Sequence, residues 1–352
     1  MTIRVEGKTG KGEAGVSGQM KKRELGISGI PASVVGLGTF AIGGWFWGGA
    51  DEKKSIEAIH ASLDAGVTLI DTAPIYGFGL AEQVVGKALK GRRAQAIIAT
   101  KCGLRWDTDK GQFDGYADDK GPSKTPAKYE IRRYLGPESI RHEVELSLRR
   151  LGTDVIDLYQ THWQESTTPI EVTMETLQAL QREGKIRAIG VSNVNVEQLR
   201  RYGAVASAQE KFNLLDKKIE ANGLAGYCAD HRIAILSYFT MEQGLLTGTM
   251  QPGRIFPEGD TRRGSATFSA QMVQRVNAVL ADLRPFAEKY RATVAQLVIA
   301  LTARQPGITH VLVGARDALQ ARDNAGGGCL DLSPEDVREM QVIAGRLGSV
   351  RD

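Results

Sequence analysis

Four side chains have the right chemistry to move a proton: the acid Asp71, the phenol Tyr76, the amine Lys101 and the imidazole His162. Each stands at or just past the end of a short apolar run: Val67–Ile70 ahead of IDTAPIYG, Ala96–Ala99 ahead of TKCG, and Val155–Tyr159 ahead of QTHW. Short continuous apolar runs read as buried strands, and groups carried to strand C-termini converge when the strands are parallel neighbours. A free phenol, with a pKa of about 10, exchanges protons poorly at neutral pH. An ammonium beside it favours phenolate and is expected to lower that value by about one to three units. Asp71 would supply the counter-charge that a lysine inside a pocket needs, and His162 would hold a carbonyl oxygen. Taken singly, these residues read as a cap, a core aromatic, a surface lysine and a core histidine. Their joint placement argues for proton transfer at an oxygen while something else happens at the attached carbon.

The elements that would position them alternate along the chain. Strand-like runs fall at Ser33–Gly38, Thr68–Asp71, Gln95–Lys101, Val155–His162, Arg187–Ser192, Ala206–Glu210, Ile233–Tyr238 and His310–Val313. Helices are expected over Asp51–Ala65, Ala81–Lys90, Glu138–Leu151, Ile170–Glu183, Val196–Tyr202, Asp216–Asp230, Thr293–Arg304 and Ala318–Asn324, with a last one from near Ser333. Repeated strand–helix units with no linker between them argue for an α/β fold, a single (β/α)8 TIM barrel over residues 20–352, rather than an open doubly wound sheet. No GxGxxG follows the first strand, which weighs against a dinucleotide-binding open sheet. Arg23–Ile30 (RELGISGI) reads as a hairpin with a Ser-Gly turn that would plug the N-terminal mouth of the barrel. Residues 1–19, Gly-rich and charged, read as a disordered extension. Two connections are long, Cys102–Gly136 after the third strand and Phe239–Ala292 after the seventh. In a barrel both fall on the C-terminal face, where long loops tend to be functional or mobile. The first of them is open to three readings: a cover for substrate, a self-association surface, or a fluctuating loop.

Bulk composition narrows the partners. The net charge of +4 comes from scattered cations, with no basic stripe for nucleic acid. Three cysteines lie far apart without disulfide or metal spacing, which fits a reducing cytoplasm. The five histidines form no HxxxH or HxH pair, so no metal site is expected. No apolar stretch approaches the roughly 20 residues of a bilayer span. A small-molecule substrate is therefore the expected partner, and the choice between monomer and homo-oligomer stays open.

The segments IDTAPIYG, TKCG, DLYQTHW and GKIRAIGVSN, with LGISGIPASVVGLGTFAIGG near the start, resemble the aldo-keto reductase superfamily. The likeness runs from about Met20 to the final helix. IFPEGDTRR and VLVGARDALQARDN are similar to bacterial inositol- or sugar-dehydrogenase-like members. The resemblance implies a barrel that binds a nicotinamide cofactor without a Rossmann domain. By motif match, Tyr76 would be the general acid, Lys101 its tuner, Asp71 the partner of Lys101, and His162 the orienter of the carbonyl. Ser192, Asn193 and Gln209 would hold the nicotinamide carboxamide and Tyr238 would stack on its ring. Thr240, Met241 and Gly244 would run along the pyrophosphate, although Phe239-Thr240-Met241 replaces the family's usual Ser-Pro-Leu. Gly314, Arg316, Gln320 and Asn324 would grip the adenosine end, and the guanidinium of Arg316 suits a 2′-phosphate, which favours NADP with NAD possible. Trp45, Trp47 and Trp163 are candidate walls of a pocket for small aldehydes and ketones, sugars or polyols, and Trp106 serves equally well as loop packing. Two alternatives stand beside this reading: a cofactor-binding redox-sensing partner subunit, and a lyase or isomerase using Lys101 as a Schiff-base nucleophile.

Overall fold

The computed structural model describes residues 18–348. The expected extension at residues 1–19 lies outside the described residues except for its last two, and Met20 is already buried against the core. Strands β1 (Lys22–Glu24) and β2 (Pro31–Ser33) pair antiparallel, joined through a 3-10 turn at Gly26–Ser28 and a left-handed Gly29. Leu25 and Ile30 from this hairpin pack against Leu69, Leu158, Leu236 and Leu312 inside the base of the barrel. Arg23 fastens it there, its Nη1 donating to the carbonyls of Ala303, Ile308 and Thr309 at 3.0, 3.1 and 3.0 Å. The N-terminal mouth is plugged, as RELGISGI suggests.

The barrel begins with β3 (Val35–Gly38), β4 (Leu69–Asp71) and β5 (Ile97–Cys102). An insertion then contributes β6 (Leu104–Arg105), β7 (Gln112–Ala117), β8 (Pro122–Ser123) and β9 (Tyr129–Arg133). The barrel resumes with β10 (Ile156–Thr161), β11 (Ile186–Ser192), β12 (Ser207–Lys211), β13 (Ala234–Tyr238) and β14 (Ile308–Gly314). Its strands are all parallel, and β14 pairs with β3 to close the ring. Alternation sorts their side chains: on β5, Ala99 faces the interior cluster while Ile98 joins the outer core and Thr100 donates to Glu82 of the helix Leu80–Ala88. Lys101 therefore points inward.

Two helices depart from the sequence reading. The stretch Asp216–Asp230 is broken into Lys218–Ala221 and Leu224–Asp230, because Gly223 takes a left-handed φ of 79°. The helix from Ala318 runs on to Cys329 through three glycines. A Cβ on Gly326, Gly327 or Gly328 would lie 2.3 to 2.6 Å from Gln296, Ile299 or Met20, so close packing holds in helix a sequence of poor helical propensity.

The connection after β5 is not an irregular loop. It is an antiparallel sheet in the order β6-β9-β7-β8 standing beside the barrel mouth. The connection after β13 contains the helices Ala270–Ala281 and Arg284–Lys289. The two insertions touch where Lys120 and Glu258 form an exposed ion pair at 3.5 Å, and the second also reaches the loop after β3, the N–H of Thr261 donating to the carbonyl of Phe46 at 3.1 Å. No helix among the described residues is long and apolar enough to cross a membrane.

Candidate active site

Parallel pairing of β4, β5 and β10 brings the four proton-moving side chains together. Lys101 Nζ donates to both carboxylate oxygens of Asp71 at 2.9 and 2.8 Å, and to the carbonyl of Thr72 at 2.9 Å. It lies 3.3 Å from the Tyr76 hydroxyl, which the turn after β4 lifts over the pair. The His162 ring stands nearly perpendicular to that of Tyr76, with centroids 5.8 Å apart. Its backbone N–H donates to the Cys102 carbonyl at 2.9 Å, tying the end of β10 to β5. Gln209 reaches across from β12, and its Nε2 donates to Asp71 at 2.7 Å.

The electrostatics correct one expectation. Burial first, then the neighbouring Asp71, pushes the Tyr76 phenol well above its ordinary value rather than below it. The Lys101 ammonium is clamped by Asp71 at contact distance, so much of the positive field that would favour phenolate is cancelled. Lys101 is itself pushed down by burial while Asp71 opposes that shift. Burial, then Lys101 and Arg133, drives His162 well below the usual histidine range, so its imidazole is neutral at pH 7. A protonated phenol and a neutral imidazole thus face the cavity. With a side-chain exposure of 0%, Lys101 is absent from the cavity wall. That removes the access a Schiff-base nucleophile needs.

A cavity of about 1070 Å³ opens above these residues. Its wall includes Asp71, Tyr76 and His162, and also Ser192, Asn193, Gln209, Tyr238, Thr240, Met241, Gly244, Gly314, Arg316, Gln320 and Asn324. Trp45, Trp47 and Trp163 line it too, whereas Trp106 packs edge-on against Phe78 and takes no part. Asn193 has a left-handed φ of 57°. From there its Nδ2 donates to the His162 carbonyl at 2.9 Å, and its Oδ1 accepts from the Tyr238 hydroxyl at 2.8 Å. After β13 the backbone is left-handed at Phe239, Glu242, Gln243 and Gly244. Such a winding segment suits close approach of a phosphate group to the main chain. Gly38 and Gly314 face each other across β3 and β14 with room for a Cβ, leaving the floor open there. Arg316 donates from Nη2 to the Gly49 carbonyl at 2.9 Å, at the rim.

Sequence reasoning passed over several contributors. Glu210, next to Gln209, accepts from the N–H of Val194 at 2.9 Å and so pins the Ser192–Asn193 turn. The insertion sheet supplies Asp114, Tyr116, Ala117, Pro122 and Ile131 to the wall. From the second insertion, Arg262 pairs with Asp260 at 2.7 Å and lies over the Trp47 ring at 4.7 Å.

The sequence profile of the Aldo/keto reductase family matches residues 34–344. The chain belongs to that family, a group of oxidoreductases that use nicotinamide cofactors. It is 40% identical over 332 residues to the aldo-keto reductase YhdN of Bacillus subtilis (strain 168), covering 92% of this chain and 93% of that protein. It is 38% identical over 334 residues to an NADH-specific methylglyoxal reductase of Escherichia coli (strain K12), covering 92% of this chain and 98% of the relative. Among solved structures, a glycerol dehydrogenase from Gluconobacter oxydans superposes with a TM-score of 0.79 at 36% identity, covering 92% of this chain and 95% of that one.

Proposed function

We propose that this protein interconverts carbonyl and alcohol groups on small aldehydes, ketones, sugars or polyols, using a nicotinamide dinucleotide, with Tyr76 as general acid and base. The observation that carries the reading is the Tyr76 hydroxyl, 3.3 Å from a lysine held by a buried carboxylate, on the wall of a cavity large enough for a dinucleotide and a small substrate. When bound, the nicotinamide supplies or accepts the hydride. Ser192, Asn193 and Gln209 would hold its carboxamide, and Gln209 has its Oε1 left to accept because Nε2 is engaged by Asp71. Tyr238 would cover one face of the ring. Thr240, Met241 and Gly244 would follow the pyrophosphate, with Gly314, Arg316, Gln320 and Asn324 around the adenosine. In reduction the phenol, kept protonated by burial, delivers its proton to the carbonyl oxygen while neutral His162 donates a hydrogen bond to the same atom. In oxidation Tyr76 must first release that proton, so the alcohol-to-carbonyl direction gains from raised pH.

Arg316 at the rim supports NADPH as the preferred carrier, whereas the Escherichia coli relative is described as NADH-specific. The free state of all three cysteines supports a reducing compartment, the cytoplasm. The test is a panel of aldehydes and polyols followed by reduced-nicotinamide absorbance with NADPH and with NADH, on wild type and Tyr76→Phe. Wild type should turn over with at least one carrier, and Tyr76→Phe should lose about 10²- to 10⁴-fold in kcat while binding dinucleotide normally. Equal rates from the two proteins would remove Tyr76 from the role.

A further inference from the structure

The insertion sheet carries an acid into the substrate half of the cavity by a specific device. Strands β7 and β9 pair with Phe113 opposite Arg132 and Gly115 opposite Ile131, which leaves Asp114 as the extra residue of a β-bulge. A bulge re-aims the side chain it carries, and bulges are over-represented beside active sites. Here it sets Asp114 on the cavity wall and within 2.5 Å of the Arg133 guanidinium. That guanidinium in turn lies 4.7 Å from the centre of the Trp163 ring, the residue after His162. A carboxylate has about four acceptor positions, so one ion pair leaves others to accept from a bound molecule.

The charge inventory of this half of the cavity points the same way. Of the described residues between 38 and 163 that line it, none is Lys or Arg, and the acids are Asp71 and Asp114. Asp71 is neutralised by Lys101. The wall arginines, Arg254, Arg262, Arg284 and Arg316, come from the connection after β13 and from the end of β14, and Arg262, which reaches the Trp47 ring, is paired with Asp260. Asp114 is likewise paired, with Arg133, so an anionic carbonyl compound would meet no unpaired cation in this half of the wall. Trp45, Trp47 and Trp163 offer apolar faces to carbon-bound hydrogens.

Resting on the reductase reading above, we propose that Asp114 determines specificity: it accepts hydrogen bonds from hydroxyl groups of the substrate, so the protein selects neutral hydroxylated aldehydes, ketones and polyols over deoxygenated or anionic ones. A charge-assisted hydrogen bond of this kind corresponds to roughly 10- to 100-fold in kcat/KM.

The experiment measures kcat/KM for glyceraldehyde, propanal and succinic semialdehyde on wild type, Asp114→Asn and Asp114→Ala. These probes share an aldehyde and differ in hydroxyl groups and charge. In wild type the order should be glyceraldehyde, then propanal, then succinic semialdehyde. In Asp114→Ala the glyceraldehyde-to-propanal ratio should fall about 10- to 100-fold, and succinic semialdehyde should gain relative to propanal. Asp114→Asn, which keeps a carbonyl acceptor, should lose less of the first ratio. Loss of packing alone would lower all three substrates together, leave both ratios in place and overturn the assignment. So would ratios within about twofold of wild type in a well-folded Asp114→Ala. A wild type inactive on every probe with both carriers would instead sink the reductase reading, and this assignment with it.

Discussion

The buried Lys101–Asp71 pair sets up a thermodynamic cycle whose outcome follows from its geometry. Both partners are sealed from water, with side-chain exposures of 0% and 5%. Lys101 has Asp71, the Thr72 carbonyl and the Tyr76 hydroxyl at 3.3 Å as acceptors, and Asp71 has Lys101 and Gln209 as donors. Lys101→Met leaves a buried carboxylate with one neutral donor, which costs about 3–5 kcal/mol. Asp71→Asn strands an ammonium among neutral oxygens, at a similar cost. Independent losses would sum to roughly 6–10 kcal/mol. In the double variant both charges are gone and the introduced amide meets a neutral pocket, so the total should be nearer about 2–4 kcal/mol, a coupling of several kcal/mol. Equilibrium urea unfolding of the four proteins at neutral pH measures it. Additivity within about 0.5 kcal/mol would refute the claim that the two charges exist for each other. The cycle has a second readout, because the Lys101 charge helps hold His162 neutral: the imidazole of Lys101→Met should titrate closer to the usual histidine range, visible by NMR.

Further tests address the scaffold. Burial pushes Glu143, which lies on the helix Pro137–Leu151 and accepts from the Gly103 N–H, up to about 7, and Glu210 up to about 8, from an ordinary value of 4.5. Each keeps a proton in the folded protein that the unfolded chain has already released, so stability should fall as pH rises from near 4.5 through 7 to 8. Glu143→Gln and Glu210→Gln should flatten that slope in thermal melts taken across the window, and an unchanged slope would reject the two groups as its source. Gly327→Ala would place a methyl 2.6 Å from Ile299 Cγ2 and 3.0 Å from the Gln296 carbonyl. It should lower unfolding stability by about 1–3 kcal/mol in urea titrations, and a neutral effect would show that the two helices can move apart freely.

The barrel was legible because its strands are buried on both faces and read as continuous apolar runs, such as Ile97–Ala99 and Ile233–Leu236. The tetrad was legible because strand order alone converges strand ends. The insertion sheet was not: Gln112, Phe113 and Asp114 follow one another exposed, without the in-out alternation of a half-buried strand, so no period marks β7. The helix Ala270–Ala281 did carry a signal, a Ser269 cap with Val273, Val276 and Leu280 on one buried face, inside a stretch read only as a long connection. The phenol's acidity could not be read from residue types. Its direction depends on whether the ammonium's field survives pairing, which is a matter of ångströms.

The contact between the two insertions has a consequence for order of events. The segment carrying Glu258 and Asp260 borders the half of the cavity assigned to the dinucleotide, and the segment carrying Lys120 borders the half assigned to the carbonyl compound. Were a ligand to shift one insertion, this exposed ion pair would pass part of the shift to the other, and any effect on affinity would have to be mutual. Dinucleotide affinity measured with and without a carbonyl compound would then differ by the same factor as carbonyl affinity measured with and without dinucleotide.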